Sequence, residues 1–226
     1  MKIGVLLHGS GVYDGTEIHE AVLSLLAIAE AGHEYQCIAP NVKQHHVVNH
    51  LDGSEMDQER NVLIESARIA RGEVMDLADF DPSEIDALFM PGGFGTAKNL
   101  TKWAFEGPEG SILPEVKALV LNMIENQKPI AALCMSPTTL AKALEGTHYH
   151  AHLSVGSTVE ASPYDIAAIS GGMESIGVEA QSKTVDEVSV DTELKIVCAP
   201  CYMMEASILE VRANIQQALA ALIELA

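Results

Sequence analysis

Basic and aromatic side chains are both scarce in this chain. Lys and Arg number 13 against 32 Asp and Glu, a formal net charge of -19, so phosphate backbones and anionic lipid, which reward clustered cations, find little to hold. Nucleic acid and membrane surfaces are therefore not expected partners. Aromatics make up only 4% of the 226 residues while 48% are hydrophobic, so the interior has to be built from Val, Ile, Leu, Met and Ala. Long apolar runs are missing too. The N-terminal run, Ile3 to Leu7 after Lys2, is too short for a signal-peptide core and far too short to cross a bilayer, which makes a cytoplasmic location the expectation. Only Cys37, Cys134, Cys198 and Cys201 carry thiols, with none of the dense spacing of a disulfide framework. Their chemistry is expected to be catalytic, redox or metal-binding. Internal repeats and low-complexity tracts are also absent.

What is present is an alternation of strands and helices. Ile3 to Leu7 reads as a buried strand, followed by a turn-rich HGSGVYDGT and by Ile18, Val22, Leu25, Leu26 and Ala29 at helical spacing up to Gly32. Tyr35 to Ala39, Ala87 to Met90 and Ile130 to Leu133 read as further strands, and Val116, Leu119, Val120, Met123 and Ile124 mark a one-sided helix. Shorter strands are predicted at Ile176 to Val178, Val188 to Val190 and Ile196 to Cys198. A closing helix follows from Ile208, Val211, Ile215, Leu219 and Leu222. Apolar strands alternating with amphipathic helices imply a flavodoxin-like, doubly wound α/β sandwich with a mostly parallel sheet. Residues 1–226 are expected to form one domain. The polar stretch around residues 42–72, with a helix over Asn61 to Ala70, reads as an insertion at the sheet's edge or rim.

Ligands of such sheets sit beyond the carboxyl ends of the strands. Three of those ends are unusual here. In KPIAALCMSP, residues 128 to 137, a strand runs directly into a helix through Cys134, with Pro137 suited to the first helical turn. A buried cysteine after a strand is commonly a packing residue, but this context is that of a nucleophile elbow. The helix dipole is expected to lower the thiol pKa. In MPGGFG, residues 90 to 95, paired glycines admit close backbone approach, so the N–H groups of Gly93 and Met135 are candidates for an oxyanion hole. In DGTEIHE, residues 14 to 20, Glu17 and Glu20 lie three apart on one helical face, and either carboxyl is placed to reach a thiol. Acids at a helix start also simply complement its dipole. Two carboxyls crowded in a dry cleft should leave one of them protonated and able to shuttle protons.

Other constellations are weaker. Cys198-Ala-Pro-Cys201 has redox or half-zinc spacing but no second pair of ligands, and no metal is expected. His148, His150 and His152 alternate, which would put all three on one face of an extended segment, a face that could bind metal but is more commonly a solvated strand face. Met203 and Met204 read as core filler.

Together, KPIAALCMSPTTL, PGGFGTAKNL and GTEIHE resemble the PfpI-type superfamily, which includes the Parkinsonism-associated deglycase and class I glutamine amidotransferase-like domains. GVYDGTEIHEAVLSLLAIAEAG, ERNVLIESARIARGEV and PGGFGTAKNLTKWAFEG further resemble its ElbB branch, the bacterial isoprenoid biosynthesis proteins with an amidotransferase-like domain, related to a mitochondrial group. The resemblance spans essentially the whole chain. It implies that Cys134 is the elbow nucleophile, that Gly93 and Met135 supply oxyanion N–H groups, and that Glu20, rather than Glu17, is the acid at the sulfur. The superfamily's partner histidine falls near Ser154 to Gly156, where this chain has none, which argues against peptidase and glutamine amidotransfer chemistry.

The resemblance also implies a cofactor-independent glyoxalase activity on a small aldehyde such as glyoxal, which would register as repair of glycated adducts too. The competing expectation is a non-enzymatic redox sensor or binding protein that uses an oxidisable Cys134. A homodimer is expected by the same resemblance.

Overall fold

Side chains apolar on both faces of a strand force that strand into the middle of a covered sheet. The computed structural model, which describes all residues from Met1 to Ala226, obeys this rule in its central strands. The strands are β1 (Lys2–Leu6), β2 (Glu34–Ala39), β3 (Val74–Asp76), β4 (Ala87–Met90), β5 (Ile130–Leu133), β6 (His152–Gly156), β7 (Glu179–Ser182), β8 (Ser189–Asp191) and β9 (Ile196–Ala199). Seven of them form one sheet in the order β3-β2-β1-β4-β5-β9-β8, parallel throughout except for the β8–β9 pair. β4, β5 and β9 are buried along their whole length. β6 and β7 form a separate parallel pair.

The helices are α1 (Ile18–Glu30), α2 (Val62–Ile69), α3 (Trp103–Glu106), α4 (Pro114–Glu125), α5 (Pro137–Leu144), α6 (Ile166–Ser175) and α7 (Ile208–Leu225). The chain winds outward from β1 through β2 to β3, then crosses back to β4 and winds the other way. Right-handed crossovers therefore put helices on both faces, with α1 against α7 and α4 against α5. This is the doubly wound, flavodoxin-like fold. The reversal between β1 and β4 opens a crevice at their carboxyl ends. One cluster of 54 buried residues fills the interior, and among aromatics only Phe80, Phe89 and Trp103 belong to it.

Several expectations shift. The strand expected at Ile176 to Val178 lies instead at Glu179–Ser182, because Ile176 caps α6 and Gly177 turns the chain at a φ of +100°. α6 itself, β3 and β6 are additions to the expected elements. On α1 the apolar residues do not all face inward: Ile18, Val22 and Leu26 are 44–47% exposed, whereas Glu20, Ala21, Ser24, Ala27 and Ile28 are buried. Packing against α7 and the sheet turns the face that carries Glu20 toward the core. The inserted stretch buttresses the rim, where the Val48 N–H donates to Asp14 Oδ2 at 2.7 Å and the Gly9 N–H to Ser66 Oγ at 2.9 Å. These bonds hold the loop between β1 and α1.

Candidate functional site

Cys134 leaves β5 at a φ of +56°, a left-handed conformation that costs a non-glycine residue of order 1–3 kcal/mol. Its N–H still extends the ladder to the Ala199 carbonyl at 2.9 Å, and Pro137 opens α5 three residues later. The sharp turn throws the sulfur into the crevice while the backbone continues into the helix. Cross-ties fix the elbow to the PGG loop after β4: the Ser136 hydroxyl donates to the Pro91 carbonyl at 2.7 Å, and the Thr96 and Thr139 hydroxyls meet at 2.7 Å.

Gly92 is the closest point of that loop. A Cβ there would lie 2.3 Å from Cys134 Cβ, 2.6 Å from Glu20 Oε2 and 2.8 Å from Cys134 Sγ, so no larger residue fits between thiol and acid. The Gly92 peptide is clamped on both sides. Its N–H donates to Glu20 Oε2 at 2.8 Å, and its carbonyl accepts the Glu17 N–H at 2.8 Å. Gly93 follows at a φ of +100°, the left-handed region that glycine enters freely.

The two acids of α1 take different places. Glu20 is fully buried, with Oε2 and the Cys134 sulfur both against Gly92 and with Oε1 accepting the Tyr202 N–H at 3.2 Å. Glu17 turns back along the helix as its N-cap, with Oε2 accepting the Glu20 N–H at 2.6 Å. The N–H groups of Gly93 and Met135 face the sulfur and favour its charged form. Cys134, Glu20, Gly93 and Met135 thus converge, while Glu17 stands one shell back, at the outer wall.

Burial, then the charge of Glu17, push the Glu20 carboxyl up to about 8. The thiol moves opposite to the sequence expectation. Burial and then Glu20's charge raise Cys134 well above an ordinary cysteine, and the two N–H groups offset this only in part. The dipole of an eight-residue helix does not outweigh the loss of water around a sulfur only 5% exposed. Near neutral pH the pair is therefore protonated on both groups, and Glu20 loses its proton first as pH rises.

Two spaces meet at this cluster. An inner chamber with about 10 Å³ of room, about that of one water, is walled by Cys134, Met135, Phe94, Met203, Tyr164 and Tyr202. An outer, open pocket of about 420 Å³ is lined by Tyr13, Glu17, His19, Tyr164, Tyr202 and Glu205, among others. Val12, Tyr164 and Tyr202 belong to both. Three of the chain's five tyrosines thus gather here, outside the aliphatic core. Met203 and Met204 are buried as expected, yet each also lines one of these spaces.

Sequence reasoning missed Tyr202, Tyr164 and His19. The available signal was position, since Cys201 to Met204 directly follow a fully buried strand at the sheet's carboxyl edge. No histidine stands at Ser154 to Gly156, which are buried in β6, and the buried His8 bonds to the Pro91 carbonyl through Nε2 at 3.2 Å, away from the sulfur. Cys198 and Cys201 do not join a metal-holding group, nor do the alternating histidines: His148 stacks on Tyr149, and His152 pairs with Glu179 at 3.3 Å. Burial pushes Cys198 up to about 12, whereas Cys201 feels Glu20 and Cys134.

A flavodoxin-like sandwich with a strained cysteine elbow against a buried acid defines an amidotransferase-like class of protein. Within it, the chain belongs to the DJ-1/PfpI family, whose pattern matches residues 10–156. The human glutamine amidotransferase-like class 1 domain-containing protein 3, mitochondrial, is 38% identical over 92% of this chain and 76% of its own length. An isoprenoid biosynthesis protein with an amidotransferase-like domain from Ehrlichia chaffeensis superposes with a TM-score of 0.89 at 31% identity, covering 100% of this chain and 99% of that one. Glyoxalase III from Candida albicans, at a TM-score of 0.61 and 14% identity over 98% and 97% of the two chains, shares the fold alone.

Proposed function

We propose that this chain is a cofactor-independent glyoxalase-type enzyme of the ElbB branch, acting on glyoxal or a similarly small 2-oxoaldehyde through Cys134. The observation that carries this reading is the Cys134 sulfur at a strained elbow, facing the buried Glu20 carboxyl across Gly92. The fold shared with a glyoxalase III adds support of a general kind.

The active form is the pair carrying one proton, held at rest on the thiol beside a Glu20 carboxylate. As the sulfur attacks one aldehyde carbon its proton passes to Glu20, which gives it to the developing alkoxide, leaving a hemithioacetal and a Glu20 carboxylate. The carboxylate then takes the C–H proton from the same carbon to form an enediolate. A proton moves between the two oxygens, and Glu20 returns its proton to the second carbon, giving a glycolyl thioester. Water cleaves the thioester to glycolate and restores the thiol. The Gly93 and Met135 N–H groups, which face the sulfur, are placed to hold the oxygen charge that develops on bond formation.

Redox sensing through oxidation of Cys134 is the second reading, and it makes no use of a proton shuttle, which Glu20 supplies. Purified Cys134→Ser should lose at least about 1,000-fold in glycolate release from glyoxal. Full turnover in that variant, with none in a mock purification, would sink the reading.

A cytoplasmic homodimer belongs to the same proposal. The outward Ile18, Val22 and Leu26 of α1 supply an apolar strip suited to self-association. Light scattering at micromolar concentration should give twice the 24.1 kDa chain mass, and a single chain mass would count against it. No helix is long and apolar enough to cross a membrane.

A further inference from the structure

The proposed reaction needs a group that the cluster around Cys134 does not supply. Once Glu20 has returned its proton to carbon it is a carboxylate again, but it is fully buried behind the Gly92 peptide, bonded to the Gly92 and Tyr202 N–H groups. Water for hydrolysis has to arrive from the other side, through the outer pocket. The wall between pocket and chamber contains Tyr202, and its hydroxyl lies 3.0 Å from His19 Nδ1, with the rings tilted at 50° and centroids 5.9 Å apart. His19 is exposed on α1, next in sequence to Glu20 and beside Glu17.

We propose that the Tyr202–His19 pair is the water-activating station for thioester hydrolysis, taking the place of the elbow-side histidine that this chain lacks. Resting on the glyoxalase reading above, it adds two catalytic residues from α1 and from the turn after β9. Water in the outer pocket attacks the thioester carbonyl. As the oxygen–carbon bond forms, water gives a proton to Tyr202 Oη, and the tyrosine passes its own proton to His19 Nδ1. The tetrahedral intermediate then expels the Cys134 sulfur to leave glycolic acid, whose carboxyl proton passes through the Glu20 carboxylate to the sulfur, and His19 releases its proton to solvent. This requires His19 as the Nε2–H tautomer, so that Nδ1 accepts from the tyrosine. Burial and the charges of Glu17 and Glu20 raise the Tyr202 phenol, so it holds its proton until the transfer is concerted.

The pair acts after the thioester has formed, and that position in time is what the experiment reads. His19→Gln and Tyr202→Phe are made in the full-length chain, the second retaining the ring and the backbone N–H on Glu20. Glyoxal turnover is followed in steady state, and acid-quenched samples are weighed by intact mass spectrometry. In both variants kcat should fall about 100-fold while kcat/KM stays within about threefold, and Cys134 should accumulate one glycolyl group. Added imidazole should restore turnover in His19→Gln. A merely structural role, in which the pair only steadies Tyr202 against Glu20, would lower kcat and kcat/KM together without any adduct, and that result overturns the proposal. Unchanged kinetics in both variants overturns it as well. If wild-type protein shows no Cys134-dependent turnover, the glyoxalase reading itself fails and this inference falls with it, an outcome visible before any variant is examined.

Discussion

The inner chamber and the outer pocket share a wall of Val12, Tyr164 and Tyr202, yet they are opposite environments. The chamber is dry and nearly full, and there burial dominates electrostatics: Glu20 rises to about 8, the Cys134 thiol rises, and Tyr164 reaches about 12. The pocket is open to solvent, with Glu17 and His19 in its lining. Two acids three residues apart on one helix thus meet different physics. Glu20 works on the sulfur side of the wall, and Glu17 caps the helix on the solvent side. Burial raises both carboxyls, but only Glu20 is fully enclosed and beside the sulfur, whereas Glu17 spends its carboxylate on the helix cap.

The comparison breaks most completely if the chamber is filled. Gly92→Ala puts a methyl group where Cys134 and Glu20 already touch, so the elbow or α1 has to move. We expect a loss of at least about 1,000-fold in glycolate release with a destabilisation of about 3 kcal/mol in urea unfolding. Near-normal turnover would mean that the thiol and acid do not need the spacing seen here.

Glu20→Gln sharpens the comparison, because it removes the charge but keeps an acceptor for the Gly92 N–H. Turnover should fall about 100- to 10,000-fold. The thiol should nevertheless ionise more readily, since above about pH 8 it titrates beside the Glu20 carboxylate in wild type. Iodoacetamide alkylation of Cys134 at pH 8.5–9, on a background without the other cysteines, should accelerate; slower alkylation would show that Glu20 favours the thiolate (the pH range is roughly set by the ordinary cysteine value). Stability gives a second reading. Glu20 has a folded pKa of about 8, above its unfolded value of 4.5, so between these the folded chain keeps a proton that the unfolded chain has lost. Wild-type stability should therefore fall by up to about 1.4 kcal/mol per pH unit across that window, a slope that Glu20→Gln abolishes. Glu17→Gln, on the pocket side, should change turnover less than about tenfold and cost about 1 kcal/mol through the weakened cap. A larger kinetic effect at Glu17 than at Glu20 would reverse the two roles.

Much of this was legible in the sequence where a local pattern and its tertiary result coincide. The run IAALC followed by Pro137 announces a strand turning into a helix, and Cys134 is found at that turn. Paired glycines after FMP announce a close approach, and Gly92 makes it. α6 was hidden because its sequence carries Gly171 and Gly172, helix-weakening residues, the second of which lets the Trp103 ring approach to 3.0 Å of a Cβ position. β3, three residues long, is too short to show a period. Tyr202 was hidden for a different reason: its bond to Glu20 runs through the backbone, which every residue but proline possesses. The thiol pKa was misjudged because a helix terminus is readable locally, whereas burial is a property of everything that packs around the sulfur.

The dihedral of Cys134 is a strain that glycine would relieve. Arg71, Gln127, Lys195 and Cys201 carry the same left-handed turn, so the dihedral alone marks no chemistry. What the turn does at position 134 is mechanical: it lets the chain pass from strand to helix in a single residue and leaves that residue's side chain pointing out of both.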